Sequence, residues 1–380
     1  MSPNSCAVSN TSTLTGAHAI VLRGVDAITA VQPLLVELAD RCSQPGAADY
    51  VGYFLTQPYT GGKVPQLVLL AEGPISSIAA LDSSSIFGAV LLHEYQFARQ
   101  PLNIFVTEDY AGERNVLAPA AIRSAVALRV AEYLLRLGAH LIVLSLQDAD
   151  FDRQLLSTRL TSKPAGGWMW STRQRTLTRR FPLAASYDAT LATLGTHTRR
   201  NLRYYRRRVE QELQCAFVPH AQITEDQFVQ LSRLCSYPTP DFVSRWRFRS
   251  ANSVPGGILA GIKSAPGDWL SIIGGRRHRA IVSIDWQMNQ TRFSNLSLST
   301  VMRSYLIEHE IAAGSQTLIF EGGTPHSMRL AFPPDRVVDL IAARNTLPTM
   351  LVRRFGTTVL SKKNFLVETI SCPDLIWRPW

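Results

Sequence analysis

The sequence predicts an α/β protein of two similar domains, and three observations carry that expectation. The chain has 380 residues, more than one hydrophobic core usually serves. The order strand, strand, polar loop, helix, glycine, strand runs along it twice, roughly 175 residues apart. Hydrophobic residues make up 46% and charged residues 18%, the balance of a folded chain rather than a disordered one.

In the first half, residues 20–39 read as a strand followed by a short helix around 34–38, and 44–48 as a turn. Residues 64–70, 86–92 and 102–106 are short apolar strands. A polar loop, DYAGER at 109–114, leads to a helix that starts near Pro119, a favoured first-turn residue. Ile122, Val126, Val130, Tyr133 and Leu137 recur there at helical spacing. Gly138 stops that helix, and residues 141–146 form the next strand. In the second half, 269–273 and 280–288 read as strands around a turn at 274–279. Residues 290–295 are a polar loop, 297–313 a helix ending at Gly314, and 317–320 a strand. The polar stretch 161–180 marks a boundary. The expected layout is a leader at 1–17, a first domain at 18–180 and a second at 181–380.

Composition narrows the function classes. The five cysteines lack metal-like spacing and the histidines do not cluster, so no metal site is expected, and the cysteine usage suits a reducing cytoplasm. No apolar run reaches the ~18 residues of a membrane span, and the Ser- and Thr-rich start lacks a signal-peptide pattern. A formal charge of +10 favours anionic partners without choosing among them. The chain has no G-x-S-x-G elbow, H-E-x-x-H, Walker loop or G-x-G-x-x-G, so motif-borne nucleophilic, zinc-protease and nucleotide chemistries have no support.

Three features bear chemistry. The start of the 297–313 helix exposes backbone N–H groups and the positive end of the helix dipole, which suits phosphate. Asn295, Leu296, Ser297, Leu298, Ser299 and Thr300 supply that backbone, and Arg292 lies just upstream; an ordinary capped helix is the competing reading. In the second feature, the run HTRRNLRYYRRR at 197–208, Arg199, Arg203 and Arg206 share one helical face. That face suits an anionic substrate or a single-stranded nucleic acid, against the plain reading of a solvated face. The third comprises carboxylates at strand ends. Asp285, beside Trp286, ends the strand before the phosphate loop, and Glu321 ends the strand after the helix. Either carboxylate can accept a proton from an attacking amine, with His326 as a further proton-transfer candidate.

On these residues, the stretch 187–332 resembles the GNAT acetyltransferase-like domain of bacterial proteins of the cellulose-biosynthesis acetyltransferase type. It is also distantly similar to the Fem family of aminoacyl-tRNA-dependent peptidyltransferases. The resemblance rests on THTRRNLRYYRRRV at 196–209, on the strand–loop–helix at 284–314, and on FEGGTPHSMRLAF at 320–332. The resemblance implies an α/β (α+β) fold of two tandem GNAT-like domains, each a mixed, mostly antiparallel sheet flanked by helices. It implies acetyl-CoA or another acyl-CoA as donor. The acceptor would be an amine on a small molecule or glycan precursor. The family's pyrophosphate loop carries Gln or Arg, then x-x-Gly-x-Gly or Ala. RFSNLS at 292–297 keeps the Arg and has Asn and Ser for the glycines. In the first half, DYAGER keeps only the middle Gly. Arg329 stands where the family has Lys, and Met328 where it has Tyr.

The leading expectation is therefore a cytoplasmic N-acyltransferase working by direct amine attack. Arg199, Arg203, Trp286 and Arg329 would contact the substrate. A Fem-like transferase using an aminoacyl-tRNA donor is the runner-up, and a non-catalytic nucleic-acid-binding protein is the third reading.

Overall fold

In a computed structural model of the chain, residues 17–44, 47–55, 63–73, 81–97, 100–107, 115–148, 151–152, 154–155, 168–177, 180–253, 256–320 and 335–344 are described. The first half contributes β1 (Ala17–Arg23), α1 (Val25–Thr29), α2 (Gln32–Arg41), α3 (Ala47–Leu55), β2 (Lys63–Glu72), β3 (Ile86–Phe97), β4 (Gln100–Val106), β5 (Val116–Leu117), α4 (Arg123–Arg136), β6 (Leu141–Gln147) and β7 (Trp168–Leu177). The second contributes β8 (Arg180–Pro182), α5 (Tyr187–Ala192), α6 (Thr196–Leu213), β9 (Ala216–Val218), α7 (Glu225–Arg233), α8 (Asp241–Ser253), β10 (Gly257–Lys263), β11 (Trp269–His278), β12 (Ile281–Asn289), α9 (Leu298–Ala312), β13 (Thr317–Phe320) and β14 (Asp335–Arg344).

These elements form two compact units, each a mixed sheet flanked by helices. In the first, the strand order is β1-β2-β3-β4-β6-β14-β7, with β5 paired to β3. In the second it is β9-β10-β11-β12-β13-β8. The pairing senses match. Three antiparallel pairs lead from β1 to β4 and from β9 to β12. A parallel pair follows in each, β4 with β6 and β12 with β13. An antiparallel pair then adds the next strand, β14 or β8. A parallel pair needs a crossover, and α4 and α9 supply it. Both helices stop at a glycine held at positive φ, Gly138 at 105° and Gly314 at 81°. The duplication expected from element order is present in the pairing itself.

The second unit spans Thr178–Pro334 together with Thr56–Pro58. The expected second segment, 181–380, thus runs past it, because β14 lies in the first sheet between β6 and β7. Side-chain chemistry explains why β7 and β14 belong there. Asp339 of β14 is fully buried and accepts from the Arg173 guanidinium of β7 at 2.9 Å and the Ser145 hydroxyl of β6 at 2.7 Å. A polar stretch with arginine reads as a linker, yet its charge is satisfied inside the sheet.

In the second unit, alternation along the strands sends side chains to two faces. Ile258, Ala260 and Ile262 of β10 and Val282 and Ile284 of β12 pack with Leu202 and Val209 of α6 and Val301, Met302 and Leu306 of α9. On the opposite face, Leu259, Ile272, Met288 and Trp286 pack with Phe228 and Leu231 of α7 and Phe248 and Ala251 of α8.

Strand β11 runs five residues further than expected, to 278 instead of 273. Gly274 and Gly275 read as turn residues, yet β11 continues through them to His278. They are glycine because their neighbours come close: an added Cβ would stand 1.9 Å from the Trp286 ring at Gly274 and 2.0 Å from the Ser283 carbonyl oxygen at Gly275. The turn is Arg279–Ala280, with Arg279 at φ 47°. The polar loop before α9 is a 3₁₀ segment, Thr291–Leu296.

Candidate functional site

The second unit has a distinctive feature at the carboxyl end of β12. The parallel pairing with β13 runs from Ile281 with Thr317 to Ile284 with Phe320, and β12 continues to Asn289. At the same point the β11–β12 register slips: Gly275 faces Ile284 and Gly274 faces Trp286. Asp285 is the extra residue of a β-bulge. A bulge reverses which face the following side chains point to, so Ile284 belongs to the α6/α9 core and Trp286 to the α7/α8 side. Ligands in open α/β sheets bind where strands separate at their carboxyl ends, and β12 has that geometry.

The bulge sets the surroundings of Asp285. Its carboxylate accepts from the Arg276 guanidinium at 3.0 Å and from the Ser283 hydroxyl at 3.1 Å. Arg276 is almost wholly buried, while the Asp285 side chain is 28% exposed. Arg276 and Ser283 orient the carboxylate, and it still reaches solvent. The Trp286 ring lies over Gly274 and meets Phe228 edge-on, with centroids 5.3 Å apart. The Arg247 guanidinium of α8 stands 5.9 Å from the centre of the same ring.

The helix start expected to meet phosphate is α9, one residue shorter at each end than expected. Its N-cap is Ser297 in the left-handed region (φ 49°, ψ 47°), and no side chain caps it. The Thr300 and Val301 N–H groups donate to the Ser297 carbonyl at 2.8 and 3.2 Å. Leu296 and Leu298 are buried in the α6/α9 core, so only their backbone is available to a ligand. Asn295 is exposed, and Ser299 and Thr300 are half-buried.

Arg292 does not turn toward this helix start. Its guanidinium donates to Asp268 at 2.7 Å and lies over the Phe293 ring at 4.5 Å. Both residues line an open cleft of about 500 Å³ that also holds Glu212 and Asp268, carboxylates that would repel a polyphosphate.

The arginine helix, α6, is largely occupied with its own acids. Arg203 pairs with Asp188 at 2.8 Å, and Arg199 donates to the Thr196 hydroxyl at 3.1 Å. Arg206 pairs with Glu210 and Glu308 and lies over the Tyr305 ring at 4.2 Å. These pairs hold its guanidinium above the usual arginine range despite burial, which acts the other way. Tyr305 donates to Glu210 at 2.6 Å, and burial with that bond pushes its phenol far up. Arg206 thus clamps α6 to α9. Of the shared face, Arg203 is exposed and Arg199 half-buried, and Arg206 alone is turned into the α6–α9 contact.

Glu321, His326 and Arg329 lie outside the described residues, as does the DYAGER loop. The structure brings together Asp285, Trp286 and the carboxyl end of β12. Reading the sequence alone missed Arg276, Ser283, Phe228 and Arg247. For Arg247 the sequence carries one signal, the basic and aromatic alternation Arg245-Trp-Arg-Phe-Arg249. Among the described residues no group of three or more His, Cys, Asp or Glu is placed to hold a metal. Among them, too, no helix is long and apolar enough to cross a membrane.

No family model matches the chain, and no curated protein matches it. Solved structures do. The structure of L-PGS from Bacillus licheniformis aligns at 14% identity and a TM-score of 0.42, covering 69% of this chain and 83% of that one. A tandem GNAT protein from the clavulanic acid biosynthesis pathway aligns at 12% identity and a TM-score of 0.44, covering 86% and 98%. FemX aligns at 10% identity and a TM-score of 0.47, covering 75% and 89%.

Proposed function

We propose that the second unit transfers an acyl group from an acyl-coenzyme A to an amine by direct attack. The observation that carries this reading is the carboxyl end of β12: parallel pairing that stops at Ile284, a bulge at Asp285, and the start of α9 after the same strand end. The thioester lies along β12 past Ile284. Its pyrophosphate meets the α9 start along the backbone of residues 295–300, where first-turn N–H groups and the helix dipole favour an anion; the Thr300 N–H joins only by leaving the Ser297 carbonyl. Arg292 joins only by leaving Asp268.

The amine nitrogen attacks the thioester carbonyl carbon, the C–S bond breaks, and the coenzyme A thiolate leaves. Asp285 takes the amine proton directly or through a water, and the thiolate is protonated from solvent. Arg276 and Ser283 hold the carboxylate in place for that transfer. Glu321 and His326 remain further proton-transfer candidates in this reading, and Arg329 a further substrate contact. Proximity supplies much of the rate, and no covalent enzyme intermediate is needed.

The test is a thermal-shift and calorimetric titration of the full chain with acetyl-CoA and longer acyl-CoAs. A ligand at a hundred times its Kd stabilises the folded state by about 2.7 kcal/mol and raises Tm accordingly. Absence of binding at millimolar thioester sinks the reading.

A further inference from the structure

The α7–α8 side of the second unit contains a cation that its surroundings leave uncompensated. Arg247 is half-buried on α8. Among the described residues its guanidinium forms no hydrogen bond or ion pair, and its one close partner is the Trp286 ring. Its neighbours differ. Arg245 pairs with Glu225 at 2.7 Å and Asp226 at 3.0 Å, Arg249 with Glu225 at 2.9 Å, and Arg233 with Asp241. All three acids of α7 and α8 are thus engaged elsewhere. Burial pushes Arg247 down from the usual arginine value, opposed only by Cys235. A partly desolvated guanidinium without an anion is costly, and five N–H donors are then available to a carboxylate or phosphate.

Arg247 also stands beside the strand end at which the acyl-transfer reading places the reaction. Trp286 is the first residue past the bulged Asp285, on the part of β12 that has left β13. The α7–α8 connection is tied to the same strand end. Ser236 N–H donates to the Asn289 carbonyl and Thr291 N–H to the Leu234 carbonyl, both at 3.1 Å.

We propose that the acceptor amine carries an anionic group, a carboxylate or a phosphate, and that Arg247, over the Trp286 ring, binds it. This rests on the acyl-transfer reading for its place in the reaction, and the anion site itself can be tested apart from that reading. Discrimination is electrostatic: an amine without an anionic group leaves the guanidinium unpaired, whereas one that carries such a group supplies its counter-ion.

The experiment titrates the full chain with matched amines, with and without acetyl-CoA. One pair is phenylalanine and phenethylamine, the other O-phosphoethanolamine and ethanolamine. The member of a pair that carries the anion is expected to bind about tenfold or more tightly than the partner that lacks it. The pair showing the larger ratio tells carboxylate from phosphate. Arg247→Met is expected to abolish the ratio and Arg247→Lys to keep part of it, with circular dichroism checking the fold of each. Equal binding within both pairs by the wild type, or no binding of either pair, overturns the proposal. So does a ratio that survives in Arg247→Met. If that variant unfolds, Arg247→Lys decides: an undiminished ratio there overturns the proposal. A ratio that depends on Arg247 in a protein that binds no coenzyme A thioester would retain the anion site and remove the transferase reading.

Discussion

Gly274 lies under the Trp286 ring, and Asp285 sits on the bulge that turns that ring toward α7 and α8. These two residues make the sharpest single-site predictions. Gly274→Ala would put a methyl group into ring carbons, and overpacking of this kind costs about 1–3 kcal/mol. Denaturant unfolding should show that loss, together with a changed Trp286 fluorescence. Asp285→Asn keeps the size and removes the base. On the acyl-transfer reading kcat falls about a hundredfold or more, while the thermal shift on acyl-CoA is retained. A variant with unchanged kcat would move the proton to another group. Neither Gly274 nor Asp285 could be placed on the bulge from its own identity. The sequence shows the residues, while the slip of register comes from how β11 and β12 pack.

At the scale of elements, α7 and α8 are joined by Glu225, which accepts from Arg249 and Arg245. Those two guanidinium groups hold its carboxyl down to about 2, against an ordinary value of 4.5. The sign follows from that depression. The clamp contributes in full above the unfolded value near 4.5 and is lost as pH falls toward about 2. Acid titration followed by circular dichroism should show a shallower stability loss between pH 4.5 and 2 in Glu225→Gln than in the wild type. The start of α9 makes a second test. Ser297 holds a left-handed conformation without capping through its side chain. Ser297→Gly should therefore stabilise the protein by about 1 kcal/mol, read as a rise in Tm. Helices with strong periodicity, α4 and α9, were legible within a few residues. The helices α7 and α8 drew no expectation, although the sequence carries a helix-start signature for α7, the capping box of Thr224 and Gln227.

At the scale of the whole molecule, β14 follows the second unit in the chain and completes the sheet of the first. Each unit's strand inventory predicts how fragments behave. A fragment 178–334 keeps all six strands of its sheet and should unfold cooperatively. A fragment 1–177 loses the strand that pairs with both β6 and β7 and leaves Arg173 without Asp339. It is expected to aggregate, and addition of a peptide covering 335–344 should restore secondary structure by circular dichroism. In the intact chain, Asp339→Ala removes the buried carboxylate to which Arg173 and Ser145 donate and should cost about 3–5 kcal/mol by denaturant unfolding.

The sequence by itself determined the α/β class, the duplicated strand–helix–strand order, the two glycine helix stops and the place of α9 after β12. These are local: apolar periodicity and glycine's freedom at positive φ act within a few residues. Tertiary structure alone decided the rest. The bulge at Asp285, the inward commitment of Arg206, the diversion of Arg292 to Asp268, the uncompensated Arg247 and the return of β14 all depend on partners distant in the chain. A charged side chain reads the same in sequence whether it faces solvent, an acid or an aromatic ring. Only packing assigns its partner, and with it the difference between a clamp and a binding group.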